Sequence, residues 1–130
     1  MSDQETIIGR VTANGAPELR YTPSGKAVAN LSIRVPGKKA NAKFGVEAAE
    51  AYFIDVVIWD KMAEHAAESI VAGDDVIIVG RRETRTWESN GEPKSKEEII
   101  ARNIGLDITW HPVTVDRAER TEGAPALAVF

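Results

Sequence analysis

With 130 residues and 43% hydrophobic content, the chain has material for one domain whose core closes without metals or cross-links. Cysteine is absent, which excludes disulfide frameworks, thiolate nucleophiles and Cys-ligated zinc or iron–sulfur centres. A formal net charge of -4 and a pI of about 5.2 run against the basic footprint usual for nucleic-acid binders, so charge has to be read by location.

Met1-Ser2-Asp3-Gln4-Glu5 is acidic and lacks the basic start and apolar run of a signal peptide. No stretch approaches the roughly 20 apolar residues of a membrane span, so a cytoplasmic protein is expected. Residues 6–36 read as strand, turn, strand. Thr6 to Val11 comes first, Asn14-Gly15-Ala16-Pro17 and Pro23-Ser24-Gly25 punctuate, and Ala27 to Val35 follows. In that last run Ala29, Leu31, Ile33 and Val35 alternate with Asn30, Ser32 and Arg34, a period of two that buries one face and wets the other. From Pro36 to Ala51 there is no strand pattern, and Lys38, Lys39 and Lys43 surround Phe44, which predicts a long loop or hairpin tip.

Tyr52 to Trp59 is the most informative segment. Tyr52, Ile54, Val56 and Ile58 form an apolar set, while Phe53, Asp55, Val57 and Trp59 lie opposite. A core face does not normally carry an aspartate, so Phe53 and Trp59 are expected to look outward or into a groove. Asp60 is the expected cap of a short helix running to about Ala72, with Met62, Ala63, Ala66, Ala67, Ile70 and Val71 at helical spacing and Gly73 as its left-handed stop. Asp75 to Gly80 resumes as a strand that continues to Trp87. It turns at Asn90-Gly91 and returns as Glu97 to Ile108, with Pro93 and the Lys-rich arm lengthening the loop. The order predicts a small β-barrel with a helix between its third and fourth strands. After Trp110-His111-Pro112 the composition turns polar and Ala/Gly/Pro-rich, so the domain is drawn at residues 1–111 and a flexible tail at 112–130.

Stacking is the first candidate chemistry. Phe53 and Trp59 are separated by about 20 Å along one strand face at about 3.3 Å per residue. Trp87 lies in a second strand beside Arg81, Arg85 and Lys94. A base on an aromatic ring is worth about 1–3 kcal/mol and needs no sequence preference. Aromatics of small barrels commonly serve as core, but the company of Asp55 and of the arginines favours exposure. Basic residues gather where the rings are: Lys38, Lys39 and Lys43 by Phe44, Lys61 by Trp59, and Arg81, Arg82 and Arg85 before Trp87. Acidic ones are expected elsewhere, at Glu64, Glu68, Asp74, Asp75, Glu97 and Glu98. Because screening confines exposed charges to about 10 Å, local positive potential is compatible with net acidity.

Enzymatic signals are thin. His65 and His111 are isolated, Asp74-Asp75 is explained by a helix-to-strand turn, and Gly25-Lys26 lacks the rest of a phosphate-binding loop. No enzyme activity, cofactor or metal is expected.

Three segments carry a resemblance. They are PELRYTPSGKAVANLSI from Pro17 to Ile33, FIDVVIWDKMAEHAAESIVAG from Phe53 to Gly73, and VGRRETRTW from Val79 to Trp87. In order and spacing these resemble bacterial single-stranded DNA-binding proteins over about residues 6–108. The resemblance implies an all-β, five-stranded OB-fold Greek-key barrel with one short α-helix and extended hairpin loops. It implies a homotetramer that binds single-stranded DNA without sequence preference in replication, recombination and repair, and association with the nucleoid. By position it assigns stacking to Phe53, Trp59 and Trp87, a further loop aromatic to Phe44, and basic contacts to Lys61 and Arg85. Arg34, Arg81, Lys38, Lys39 and Lys43 complete the expected DNA-binding set. Asp55 and Glu83 depart from the family's basic or neutral residues, implying weaker binding or a shifted salt dependence. The C-terminal Gly123 to Phe130 keeps a terminal phenylalanine without the acidic cluster that recruits partner enzymes, putting that recruitment in doubt. The alternative is an OB-fold replication accessory protein acting mainly through protein contacts.

Overall fold

The structure, a computed structural model, describes residues 3–37 and 50–117. Phe44, Lys38, Lys39 and Lys43, and residues 118–130 of the expected tail, lie outside the described residues. Within them the elements are β1 (Gln4–Val11), β2 (Glu18–Tyr21), β3 (Ala27–Val35), β4 (Tyr52–Trp59), α1 (Asp60–Ser69), β5 (Asp75–Ser89) and β6 (Glu92–Leu106).

The strand order is β1-β5-β6-β4-β3-β2, and a further β1–β3 pairing at Arg10↔Arg34 and Val11↔Ile33 closes the sheet on itself. Five strands therefore form the expected closed OB-fold barrel, and β2 is an added arm on β3. The sequence left β2 hidden because four residues between Pro17 and Pro23 show no alternation long enough to read. It forms because the Thr22 to Lys26 turn folds Glu18–Tyr21 back onto β3, with Thr22 N–H donating to the Lys26 carbonyl at 2.8 Å.

Period-two alternation builds the core. Ala29, Leu31, Ile33, Ile54, Val56, Ile58, Val76, Ile78 and Ile99 point inward, and Ala63, Ala66 and Ile70 of α1 join the same cluster. Each fully buried Ile or Leu contributes about 1.5–3 kcal/mol. Tyr52 shares the parity of Ile54 but is exposed, since it stands at the mouth of the barrel where Arg82 reaches it.

Two details of α1 differ from expectation. Trp59, still extended at φ -115° and ψ 155°, occupies the cap position and offers no side-chain cap. With no residue between strand and helix, Asp60 takes the change of direction itself at φ 61°, a left-handed conformation that Asp tolerates better than most. The helix also ends at Ser69, because buried Ile70 returns to extended backbone, while Gly73 (φ 91°) serves the turn beyond it. There the Asp74 carboxylate accepts from Val71 N–H at 2.9 Å, which accounts for half of the Asp74-Asp75 pair.

The β5–β6 hairpin turns tightly at Asn90 (φ 53°) and Gly91 (φ 79°), and β6 begins at Glu92 rather than Glu97. Pro93 is accommodated because it faces Glu88 one position beyond the turn-closing Ser89↔Glu92 pair. Alternation of the ladder makes this a non-hydrogen-bonded site, where no N–H is required. Further down, a bulge between Val79 and Gly80 lets the hairpin bend into the barrel wall. A Cβ on Gly80 would lie 2.3 Å from the Ile100 carbonyl oxygen. Gly80→Ala is accordingly expected to cost about 1–3 kcal/mol, read as a lowered melting temperature.

Candidate nucleic-acid interface

Outward positions on β2 to β6 make one continuous face. Register places Arg20 opposite Val28 and Val28 opposite Trp59; Asn30 faces Val57, and Val57 faces Ile100 across the parallel β4–β6 pairing. Ile100 in turn faces Arg81 on β5. These residues, with Thr22, Glu83, Thr84, Arg85 and Glu98, line a surface groove of about 490 Å³. Val57, expected on the outward face, is buried as its floor.

Trp59 is half-buried in this groove and Lys26 Nζ sits 5.3 Å from its ring centroid. Trp87, 39% exposed, stands further out on the β5–β6 arm with the Arg85 guanidinium 4.8 Å from its ring centroid. Cation–π contacts of this kind contribute about 0.5–1 kcal/mol at exposed sites. Phe53, at 67%, is the most exposed of the three. It faces Arg34 across β3–β4 and lines, with Arg34, Arg10 and Trp110, a second depression by the β1–β3 seam. All three predicted stacking residues are thus on the outer surface, Phe53 and Trp59 at opposite ends of β4.

The basic residues are less uniform. Arg81 and Arg85 line the groove, whereas Lys61 lies on the first turn of α1, paired with Glu64 at 3.4 Å and outside the groove lining. Arg82 has the other strand parity. It binds Glu5 through two bonds of 2.8 and 3.0 Å and Glu97 at 3.0 Å, which places it away from the face. The Arg82 hydrogen bonds hold the Glu5 carboxyl below its ordinary value of 4.5. Acidic residues are not segregated as expected either. Antiparallel register brings Glu98 opposite Glu83, parallel register sets it beside Asp55, and all three stand among the cations. Arg85 Nε lies 3.3 Å from Glu98 Oε1, Arg81 Nε 2.8 Å from Glu83 Oε1, and Lys96 pairs with Asp55.

Arg20, Lys26, Asn30 and Lys96 were not singled out from the sequence. For the first three the signal was the β2–β3 hairpin, since the Pro23-Ser24-Gly25 turn puts Arg20 and Lys26 on the β3 face next to Trp59; Lys96 comes in only through the β5–β6 register. Among the described residues no group of three or more His, Asp or Glu is placed to hold a metal ion. His65 is exposed on α1, and His111 lies 3.8 Å from Asp75, whose other oxygen is held by Arg10 at 2.8 Å.

The chain that folds into this closed five-stranded barrel, with a helix between the barrel's third and fourth strands and aromatic rings on its outer face, matches a known sequence family over most of its length. The model of the Single-strand binding protein family matches residues 3–107. The chain belongs to that family. It is 38% identical over 117 residues to a "Single-stranded DNA-binding protein" of Corynebacterium glutamicum, covering 88% of this chain and 51% of that one. It is 36% identical over 118 residues to the protein of the same name from Mycolicibacterium smegmatis, covering 89% and 70% respectively. The chain thus spans about half the length of the first of these single-strand binding relatives. Among solved structures, the small single-stranded DNA-binding protein of Streptomyces coelicolor superposes with a TM-score of 0.66 at 22% identity, over 82% of this chain and 95% of that one. That likeness bears on the fold of this single-strand binding family member.

Proposed function

We propose that this protein binds single-stranded DNA without sequence preference, protecting unpaired strands during replication, recombination and repair, and that it does so without catalysis. The observation that carries this is the pairing of exposed rings with cations on one outer face: Trp59 under Lys26, Trp87 under Arg85, and Phe53 opposite Arg34. Rings of this exposure accept any base, and the cations beside them meet the backbone phosphates. A duplex hides its base faces and offers such a surface only phosphates.

The relatives' names and the resemblance in sequence favour this reading over that of an accessory protein working through protein contacts. The resemblance in sequence, beyond those names, is what supports a homotetramer and a cytoplasmic, nucleoid-associated location. Among the described residues no helix is long and apolar enough to cross a membrane. Titration with oligo-dT is expected to quench tryptophan emission, with far weaker binding to a duplex of equal length. Emission that ignores oligo-dT at low salt would refute the proposal. Native mass measurement on the same sample reads the oligomeric state.

A further inference from the structure

The acidic residues on the strand-binding face form an ordered row. Asp55 on β4, Glu98 on β6 and Glu83 on β5 are cross-strand neighbours, with Asp55 in register with Glu98 and Glu98 with Glu83. On β4 the row falls between the two stacking positions Phe53 and Trp59. From the Trp59 side Glu83 takes Arg81, and from the Phe53 side Asp55 takes Lys96 and Glu98 takes Arg85. Three of the cations best placed to meet phosphate are therefore already neutralised, one carboxylate to each.

We propose that Asp55, Glu83 and Glu98 are built-in competitors for phosphate that set both the affinity and the salt dependence of strand binding. This rests on the function proposed above. For a phosphate to take Arg85 or Lys96, the cation must leave or share its carboxylate. The vacated carboxylates then stand opposite one another across adjacent strands, where like charges repel. Glu98, with its side chain only 8% exposed, is poorly placed to recover the loss from water. Among the described residues Arg20, Lys26 and Arg34 have no carboxylate partner, and they flank the row. Arg20 donates to the Asn30 side chain at 2.7 Å and Lys26 lies over Trp59. Phosphates meet these without competition. A single strand releases counterions with a slope of about 0.7 per phosphate neutralised, so the paired face has a shallower dependence on salt than its number of basic residues suggests.

The double variant Asp55→Asn with Glu83→Gln removes two competitors whose side chains are partly exposed, leaving the more deeply buried Glu98 in place. Its affinity for oligo-dT is expected to rise about fivefold or more at low salt. The slope of log affinity against log salt is expected to steepen by about 1.4, two phosphates' worth. Affinity that is unchanged or weaker, at unchanged slope and with the melting temperature preserved, would overturn the proposal. If the double variant folds poorly, Glu83→Gln alone, at an exposed side chain, carries the same test with half the change in slope. Failure of the unsubstituted protein to bind would instead remove the function on which the proposal stands.

Discussion

Replacing Trp59 and Trp87 together by alanine is expected to weaken single-strand binding by about 2–6 kcal/mol, roughly 30-fold or more, because each ring supports a base worth about 1–3 kcal/mol. Both rings lie outside the core cluster, with Trp59 over the groove floor of Val57 and Trp87 on the arm beyond the barrel. Stability should therefore change little, and anisotropy of a labelled oligonucleotide read beside a melting curve separates the two effects. The cations stacked on the rings do not rescue the loss. Lys26 is positioned by the ring beneath it, so truncating Trp59 also frees that cation, whereas Arg85 without Trp87 stays on Glu98. A loss below about threefold would mean that bases do not use these rings.

Ile99→Ala should show the reverse profile. Ile99 is fully buried on β6, directly between the outward Glu98 and Ile100 of the groove. Truncating a buried Ile costs about 2–5 kcal/mol from lost transfer energy and the cavity left behind. The midpoint of urea unfolding should fall accordingly, while the fraction still folded at low temperature binds a strand with near-normal affinity. If the folded variant also binds poorly, the inward and outward sides of β6 are coupled more tightly than the alternation implies.

The barrel was legible where burial enforces a simple period. β3 and β4 were bounded correctly because Ala29 to Val35 alternate against polar neighbours and Ile54, Val56 and Ile58 share one parity, and the outward placing of Phe53 and Trp59 followed from one aspartate sharing their face. Boundaries set by chain geometry were not legible. The end of α1 is decided by Ile70 entering the core, and the start of β6 by a two-residue turn that tolerates Pro93 at an unbonded position. Of the site, the rings were readable one by one, but pairing partners were not. Glu98 looked remote from Arg85 at a separation of thirteen residues, and only the hairpin register and the β4–β6 pairing reveal that it stands among the cations. Local sequence reports which face a side chain occupies; cross-strand register decides what it meets there.

The barrel is held shut by pairings between distant parts of the chain, with Ile7 beside Ile78, Val56 beside Ile99, and Val11 closing on Ile33. Non-local pairing of this kind makes folding slow, in the range of milliseconds to seconds for barrels of similar size, since loop entropy is lost before contacts repay it. The β2–β3–β4 sheet joins near neighbours in the chain, whereas β6 reaches β4 across the intervening helix and β5. The groove draws its walls from both sides of that joint. A chain in which that joint has opened is expected to present half a platform, Trp59 parted from Arg81 and Arg85, so the proposed strand binding is expected to fail when the joint opens and before the whole fold is lost.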